Sequence, residues 1–305
     1  MLWFERFDLR VAEELPALEY VKDEPMSHHT SFRIGGGAKR MAFPKTGEEL
    51  ASVLRIAKEC GGETFLLGNG TNLLVADEGL DRLVVDTTKY LQKIELLSDG
   101  VTIRAEAGAS LASIAVFAWK NSLMGLEFAH GIPGSLGGAV VMNAGAYNGT
   151  MDQVVTKVTA LMPDGEIRTL KGEELDFRYR HSVFSDCDAV VLSAELQLAH
   201  GDEAAIRAEM DGLMQRRRSS QPLEFPSAGS TFKRPVGHYA GALIEKNGLK
   251  GTRVGGAEVS EKHAGFVINR GGATCADVLA LMEQIRATVL EHDGVELEPE
   301  VKIIR

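Results

Sequence analysis

The sequence predicts an α+β fold, and three features of its 305 residues indicate this. Apolar residues recur at helical spacing in several segments. Short apolar runs of strand length, bounded by Gly, Asp or Pro, stand before and after these segments. The chain also holds 33 glycines among its 305 residues. This share is higher than the average of about 7%, and the glycines cluster in segments that read as loops. At about 150 residues per domain, the length predicts about two domains.

The first predicted elements form a small α+β unit. A helix extends from Gly47 to Gly62, where a pair of glycines ends the apolar periodicity. Buried strands separated by tight turns follow, and they are predicted at 65–67, 73–75 and 83–85.

The middle of the chain combines strands with one capped helix. Ser110 is placed to cap a helix that carries Leu111 and Ala118. Residues 125–149 are rich in glycine and follow neither the helical nor the strand period. Pro163-Asp164-Gly165 predicts a hairpin turn. Strands are predicted at 101–107, 154–161, 166–170 and 190–198.

The last third begins with an amphipathic helix over 201–219. The polar, proline-marked stretch after it predicts a domain boundary nearby. Thr274 and Asp277 stand at capping-box spacing and predict the start of a long helix. The remaining predicted elements are a helix over 238–247, a strand near 264–269 and that long helix over 275–292.

Charge and composition exclude several classes of protein. The 33 basic and 43 acidic residues give a net charge of −10, which argues against a general binder of nucleic acid or anionic membranes. No apolar run approaches the ~20 residues that span a bilayer, and the first ten residues are too charged for a secretory signal. Cys60, Cys187 and Cys275 stand far apart, which predicts reduced, mostly buried thiols. We expect a soluble, cytoplasmic protein without a bound metal.

Glycine clusters are the first candidates for a binding site. They lie at 35–37, 68–72 and 131–147. Such loops can bring backbone N–H groups close to a phosphate, while an ordinary turn is the alternative for any one cluster. A Rossmann loop would need a third glycine where Leu73 stands, and no GxxxxGK[ST] motif occurs. A bound dinucleotide would therefore require another fold.

Three polar segments are further candidates. An extended segment would place Arg178, Arg180 and Ser182 on one face, and a solvated edge strand is the alternative. Ser230 follows a glycine but lacks the GxSxG context of a serine hydrolase, so a turn residue is the alternative. Glu300 begins an apolar run, either as an exposed edge residue or as a buried acid held for a purpose.

Seven motifs, taken in order, resemble the UDP-N-acetylenolpyruvoylglucosamine reductase family from about residue 25 to the end. They are GNGTNLL, GIPGSLGGAVVMNAGAY, YRHSVF, AGSTFKRP, AGALIEKNGLKG, GGAEVSEKHAGFVIN and LEPEVKII. The resemblance implies a two-part FAD-binding region of the vanillyl-alcohol-oxidase (PCMH) type, followed by a C-terminal α+β substrate-binding domain. The implied ranges are 1–90 and 91–205 for the two FAD-binding subdomains and 206–305 for the substrate-binding domain.

The resemblance also implies a reaction. Hydride passes from NADPH to non-covalently bound FAD, and then to C3 of the enolpyruvyl ether of UDP-N-acetylglucosamine, which gives UDP-N-acetylmuramate for peptidoglycan synthesis. Three residues match the catalytic positions of the family. Arg180 would stabilise the negative charge that develops on the substrate carboxylate, and Ser230 would give a proton to C2. Glu300 would donate a hydrogen bond to the same carboxylate if protonated, so we expect a raised pKa.

Further positions are matched to ligands in the same way. The FAD positions are Arg33, Gly68, Asn69, Gly70, Thr71, Asn72, Gly131, Ile132, Pro133, Gly134, Ser135, Gly137, Gly138, Ala139, Asn143 and Gly145. The candidates for the substrate pyrophosphate are Lys233, Lys246, Lys250 and His263.

The short interval between Ser230 and Glu300 predicts the subtype without an inserted tyrosine loop, which leaves open what covers the uracil ring. Two alternatives remain. One is a flavoprotein of the same fold that oxidises a small alcohol, and the other is a sugar-nucleotide binder that has lost the chemistry. The expected partners are the sugar nucleotide and NADPH, with no obligate protein partner.

Overall fold

A computed structural model describes all residues from 1 to 305 and confirms the α+β fold class. The helices, in chain order, are α1 Trp3–Glu14, α2 Gly47–Glu59, α3 Leu111–Lys120, α4 Leu136–Val141, α5 Glu203–Ser220, α6 Ala240–Lys246 and α7 Cys275–Asp293. The strands are β1 Glu19–Pro25, β2 Gly37–Phe43, β3 Thr64–Leu67, β4 Leu73–Val75, β5 Leu80–Asp86, β6 Ile94–Leu96, β7 Thr102–Glu106, β8 Leu123–Met124, β9 Gly145–Ala146, β10 Gly149–Thr150, β11 Val155–Leu161, β12 Ile167–Lys171, β13 Val190–Gln197, β14 Ala199–His200, β15 Arg253–Val254, β16 Ala257–Val259, β17 Val267–Asn269 and β18 Lys302–Ile304.

Three sheets contain most of the strands. The largest has five strands in the order β12-β11-β13-β7-β6, and all of its neighbours are antiparallel. A second sheet has the order β1-β2-β5-β3, with β3 and β5 parallel. The third is antiparallel, in the order β15-β16-β17. Outside these sheets, β18 pairs in parallel with β4.

The chain divides into two compact units. The first comprises Met1–Val21, Arg40–Asn69 and Arg82–Arg217, and the second comprises Lys22–Lys39, Gly70–Asp81 and Arg218–Arg305. Within the first unit, one apolar core lies between the five-stranded sheet and helices α3 and α4. Another joins α1 and α2 to strands of the four-stranded sheet. The core of the second unit is formed chiefly by α6, α7 and the three-stranded sheet.

The elements predicted from local signals are present, with ends within three residues of the prediction. Ser110 accepts a hydrogen bond from the Ser113 N–H, and α3 begins at the next residue. Thr274 and Asp277 form the predicted capping box of α7, and Gly294 ends that helix with a φ of 66°. The predicted hairpin turn joins β11 to β12. No prediction covered α1, β1 or β2, which lie in the first 46 residues.

An ion pair holds the unpredicted helix α1 to the four-stranded sheet. Arg40, on β2, is only 5% exposed. Its Nε and Nη2 donate to the two carboxylate oxygens of Asp8, on α1, over 2.6 and 2.7 Å. The Arg40 guanidinium carbon also lies 4.9 Å from the centre of the Phe4 ring. Because a buried guanidinium is costly without its counter-ion, this pairing fixes α1 against the sheet.

Two further expectations from the sequence are that the cysteines are mostly buried and that no segment spans a membrane. Cys60 and Cys275 are buried, as expected, whereas Cys187 is partly exposed. None of the helices combines the length and the apolar character that crossing a membrane requires.

The first prediction concerns the stability of α1. Replacing Asp8 by alanine leaves Arg40 buried without its carboxylate, so we expect the free energy of unfolding to fall by about 3 kcal/mol. Urea denaturation, followed by circular dichroism at a fixed FAD content, measures this change. As a control, Glu59→Gln removes a carboxylate from the exposed ion pairs with Arg10 and Arg55 and should change stability little. Equal losses in both variants would contradict the assignment.

Candidate active site

The loop of residues 68–72, between β3 and β4, has a backbone that only glycine permits. Gly70 has a φ of 59°, and a Cβ there would lie 2.0 Å from the carbonyl oxygen of His29. The N–H groups of Gly70 and Thr71 donate to no backbone carbonyl. Backbone N–H groups of this kind normally have a partner, so this loop is suited to an anionic ligand.

The second glycine-rich run lies beside the start of this loop within the first unit. The Asn69 side chain donates to the Pro133 carbonyl over 2.8 Å. A Cβ at Gly68 would lie 2.3 Å from Ser135 Oγ, so the two segments touch at that point. A Cβ at Gly134 would have Ile132 Cγ2 as its nearest neighbour, at 3.9 Å, and one at Gly138 would have Ser135 Oγ, at 3.7 Å, so neither position is crowded.

The other predicted FAD positions take several environments. Gly137 donates its N–H to the Ala107 carbonyl, Ile132 donates to Ala129, and Ala139 is buried in α4. Gly145 belongs to β9, and a Cβ there would clash with the Thr150 side chain at 2.5 Å. Arg33 lies in the second unit, is exposed, and has a φ of 55°.

Asn143 supports the segment that carries Arg180. It is buried, has a φ of 39°, and its Nδ2 donates to the Arg178 carbonyl over 3.1 Å. Its Oδ1 accepts from the Asp152 N–H over 3.0 Å. The amide is therefore used inside the protein and fixes the main chain just before Arg180.

The expectation of an extended segment at this point is wrong. Arg178 and His181 exchange two backbone hydrogen bonds, each 3.1 Å, so the chain reverses in a tight turn instead of continuing as a strand. Arg178 pairs with Asp176, while Ser182 is buried and donates to the Val141 carbonyl. The three side chains consequently do not share one face. Hydrogen bonds from distant residues, which the local pattern does not show, produce this turn.

Arg180 occupies the third position of that turn in a left-handed conformation. Its φ is 54°, a value that favours glycine in such turns and costs other residues of the order of 1 kcal/mol. The Arg180 guanidinium carbon lies 5.6 Å from the Tyr179 ring centre. A large charged residue kept where glycine would be easier indicates that its side chain is needed there.

Within the second unit, main-chain pairing brings Ser230 and Glu300 into one network. Phe232 and Pro299 form an antiparallel bridge, and the Glu300 N–H donates to the Thr231 carbonyl over 2.9 Å. The Asn72 side chain donates to the Glu300 carbonyl over 3.1 Å. Thr231 is buried, whereas Ser230 beside it is exposed and Glu300 is partly exposed.

The three lysines predicted to bind pyrophosphate already form ion pairs. Lys233 pairs with Glu298, Lys250 with Glu245, and Lys246 with Asp293. An anion would therefore have to compete with these carboxylates. The Asp293 side chain is 5% exposed and also accepts from Asn247, so the Lys246 pair fastens α6 to the end of α7.

His263 differs from the lysines because burial lowers its pKa. Its Nδ1 accepts a hydrogen bond from the Gly265 N–H over 3.1 Å. This contact leaves Nε2 to carry the proton of the neutral ring. His263 can therefore donate one hydrogen bond near pH 7 without contributing a full charge.

Arg217 is a candidate that the sequence analysis did not identify. A Cβ at Gly131 would lie 3.3 Å from Arg217 Cδ, which places this arginine beside the second glycine-rich run. Burial lowers the pKa of Arg217, yet a guanidinium keeps its charge. The only sequence signal for Arg217 is its place in an Arg-Arg-Arg run near the end of α5. The helical periodicity alone assigns such a run to the solvent-exposed face of the helix.

Two family models match separate parts of the chain. Residues 38–171 match a model described as FAD binding domain. Residues 221–304 match the C-terminal domain of UDP-N-acetylenolpyruvoylglucosamine reductase. The first range contains both glycine-rich runs, and the second contains Ser230 and Glu300.

Whole-length relatives carry the same name. The UDP-N-acetylenolpyruvoylglucosamine reductase of Levilactobacillus brevis is 49% identical over 294 residues, which cover 96% of each chain. That of Caldanaerobacter subterraneus subsp. tengcongensis is 50% identical over 282 residues, or 92% of each chain. The crystal structure of the reductase from Thermus caldophilus aligns with a TM-score of 0.80 and 34% identity, covering 94% of this chain and 99% of that one. The chain therefore belongs to the UDP-N-acetylenolpyruvoylglucosamine reductase family.

Proposed function

We propose that this protein uses NADPH to reduce the enolpyruvyl ether of UDP-N-acetylglucosamine to UDP-N-acetylmuramate. The observation that carries the proposal is the hydrogen-bonded network of Asn72, Thr231 and Glu300. It holds the hydroxyl of Ser230 and the carboxyl of Glu300 on one main-chain frame, next to a loop suited to a nucleotide phosphate. Family membership supports the same reaction.

The residues present fit FAD. Gly70 and Thr71 offer N–H groups without a backbone acceptor, and no neighbour crowds the side of Gly134 or Gly138 where a Cβ would stand. The partly buried charge of Arg217 beside Gly131 suits an anionic part of the cofactor. When bound, FAD supplies the redox centre through which the two electrons of NADPH reach the substrate double bond. FAD is proposed to bind without a covalent bond to any His or Cys.

Arg180 is proposed to bind the substrate carboxylate. Hydride addition at C3 moves negative charge onto C2 and the carboxylate, and a permanently charged guanidinium with paired donors stabilises that charge. The turn held by Asn143 fixes its main chain before the substrate arrives. Little reorganisation is then needed during the reaction.

Ser230 is proposed to donate the proton that C2 receives. A hydroxyl is a weak acid, but it can transfer a proton to a strongly basic, carbanion-like carbon when the two are correctly placed. Glu300 is proposed, when protonated, to donate a hydrogen bond to the substrate carboxylate. The substrate thus gains a hydride at C3 and a proton at C2, and NADPH becomes NADP⁺.

The substrate pyrophosphate is proposed to be bound by lysines that exchange a protein carboxylate for the phosphate. Lys233 is two residues past Thr231 and pairs with the exposed side chain of Glu298, so this exchange costs little desolvation. Lys250 pairs with exposed Glu245 in the same way. His263 is assigned a neutral hydrogen bond, and Lys246 is the least suited because its partner is buried.

Two alternatives from the sequence differ from this proposal in what they require. A small-alcohol oxidase would not require the C-terminal reductase domain that residues 221–304 match. A non-catalytic sugar-nucleotide binder would not turn over NADPH. A purified chain without the yellow absorbance of flavin would contradict both enzyme hypotheses.

The proposal also includes three expectations from the sequence. They are the division into three domains at residues 90 and 205, the absence of the inserted tyrosine loop, and a cytoplasmic location.

The main test separates the two half-reactions. In anaerobic stopped-flow measurements, Ser230→Ala should leave flavin reduction by NADPH within about twofold of the parent. It should slow flavin reoxidation by the enolpyruvyl sugar nucleotide by at least about 10²- to 10⁴-fold, the usual contribution of a general acid. Ser98→Ala, the same change in an exposed turn, serves as the control. If both half-reactions slow equally, Ser230 is not the proton donor.

A further prediction concerns the shape of the cation. An ammonium cannot offer the paired donors of a guanidinium, so Arg180→Lys should slow the substrate half-reaction by about 10²-fold or more. Arg178→Lys, an exposed change in the same turn, should stay close to the parent enzyme. Unchanged turnover in Arg180→Lys would refute the assigned role.

A further inference from the structure

An exposed aromatic side chain stands on the loop that follows the Ser230 segment. Tyr239 is 62% exposed, and Val236 in the same loop is 99% exposed. The guanidinium carbon of Arg234 lies 3.9 Å from the centre of the Tyr239 ring. One face of the ring is thus covered by a cation, although most of the residue is exposed to solvent. An aromatic ring held in this way presents a flat surface on which another planar ring can stack.

The main chain around Tyr239 is fixed to the frame that carries Ser230. The Tyr239 carbonyl accepts the Leu243 N–H over 3.1 Å at the start of α6, while its side chain takes no part in capping that helix. A Cβ at Gly241 would lie 3.2 Å from the Gly265 nitrogen, so α6 packs closely on that segment. The Gly265 carbonyl in turn accepts from the Thr231 N–H over 2.9 Å. Every one of these residues lies within the second unit.

The proposed substrate contains a planar ring that needs such a surface. Its reacting double bond must lie at Ser230, and its uridine diphosphate extends away from that point. Lys233 begins the loop that ends at Tyr239, so the chain runs from the proton donor, past a pyrophosphate candidate, to an exposed aromatic ring. Stacking on an aromatic side chain accepts a pyrimidine ring without requiring hydrogen bonds to its edges.

We propose that Tyr239, backed by Arg234, is the platform on which the uracil ring of the substrate stacks. The base takes the ring face opposite the guanidinium, and Arg234 keeps the tyrosine ring in place from behind. This assignment rests on the proposed function, and it gives the uridine a binding surface without an inserted loop.

Steady-state kinetics and UDP binding on the FAD-loaded enzyme test the platform. Tyr239→Ala should raise the KM for the enolpyruvyl sugar nucleotide, and the Kd for UDP measured by calorimetry, by about tenfold or more. Tyr239→Phe keeps the ring and should stay within about twofold of the parent for both. Val236→Ala, in the same loop, is the matched control and should change neither. In all variants, flavin reduction by NADPH should be unaffected.

Several outcomes would overturn the platform. One is a Tyr239→Ala variant with unchanged KM and unchanged UDP affinity; another is a Tyr239→Phe variant as weak as the alanine variant, since the hydroxyl would then be the contact. Weaker binding of NADPH with unchanged UDP binding would mean that the ring serves the other nucleotide. A parent enzyme that does not reduce the enolpyruvyl sugar nucleotide at all would instead contradict the proposed function, so the two failures are distinguishable.

Discussion

Main-chain hydrogen bonds among three distant segments determine what the second unit can do. Asn72, Thr231 and Glu300 are joined through backbone carbonyls, one backbone N–H and one amide side chain. These bonds involve neither the hydroxyl of Ser230 nor the carboxyl of Glu300, so the main chain that carries both groups is fixed independently of them. Bonds of this kind also keep their geometry when a neighbouring group gains or loses a proton, which suits a site where charge moves during the reaction.

The distribution of charge follows from the ligands that the site is proposed to bind. The molecule carries a net charge of −10, yet both nucleotides and the cofactor are anionic. Positive charge must therefore be concentrated locally, since the overall field repels anions. Lysines paired with exposed carboxylates can exchange that partner for a phosphate, whereas Arg217 provides a partly buried charge beside a glycine-rich run.

The sequence predicts what short-range physics determines and misses what distant contacts determine. The capping box of α7 and the cap of α3 are made by residues three positions apart, so the local pattern contains them. Helix α1 depends instead on its Asp8 carboxylate, which pairs with Arg40 on strand β2, 32 residues further along the chain. The turn at Arg180 depends on Asn143, which lies 35 residues before Arg178, and a hydrophobic pattern cannot reveal it. The motifs identified the candidate residues themselves, because they record the family rather than the local backbone.

The bond between the Asn72 amide and the Glu300 carbonyl joins residues 228 positions apart, and β18 pairs with β4 over a similar interval. A contact of such long range cannot form until nearly the whole intervening chain exists. During synthesis, the glycine loop after β3 therefore cannot gain its bond to Glu300 until the ribosome has added more than two hundred further residues. The nascent chain can begin to fold the segments between them before this network closes.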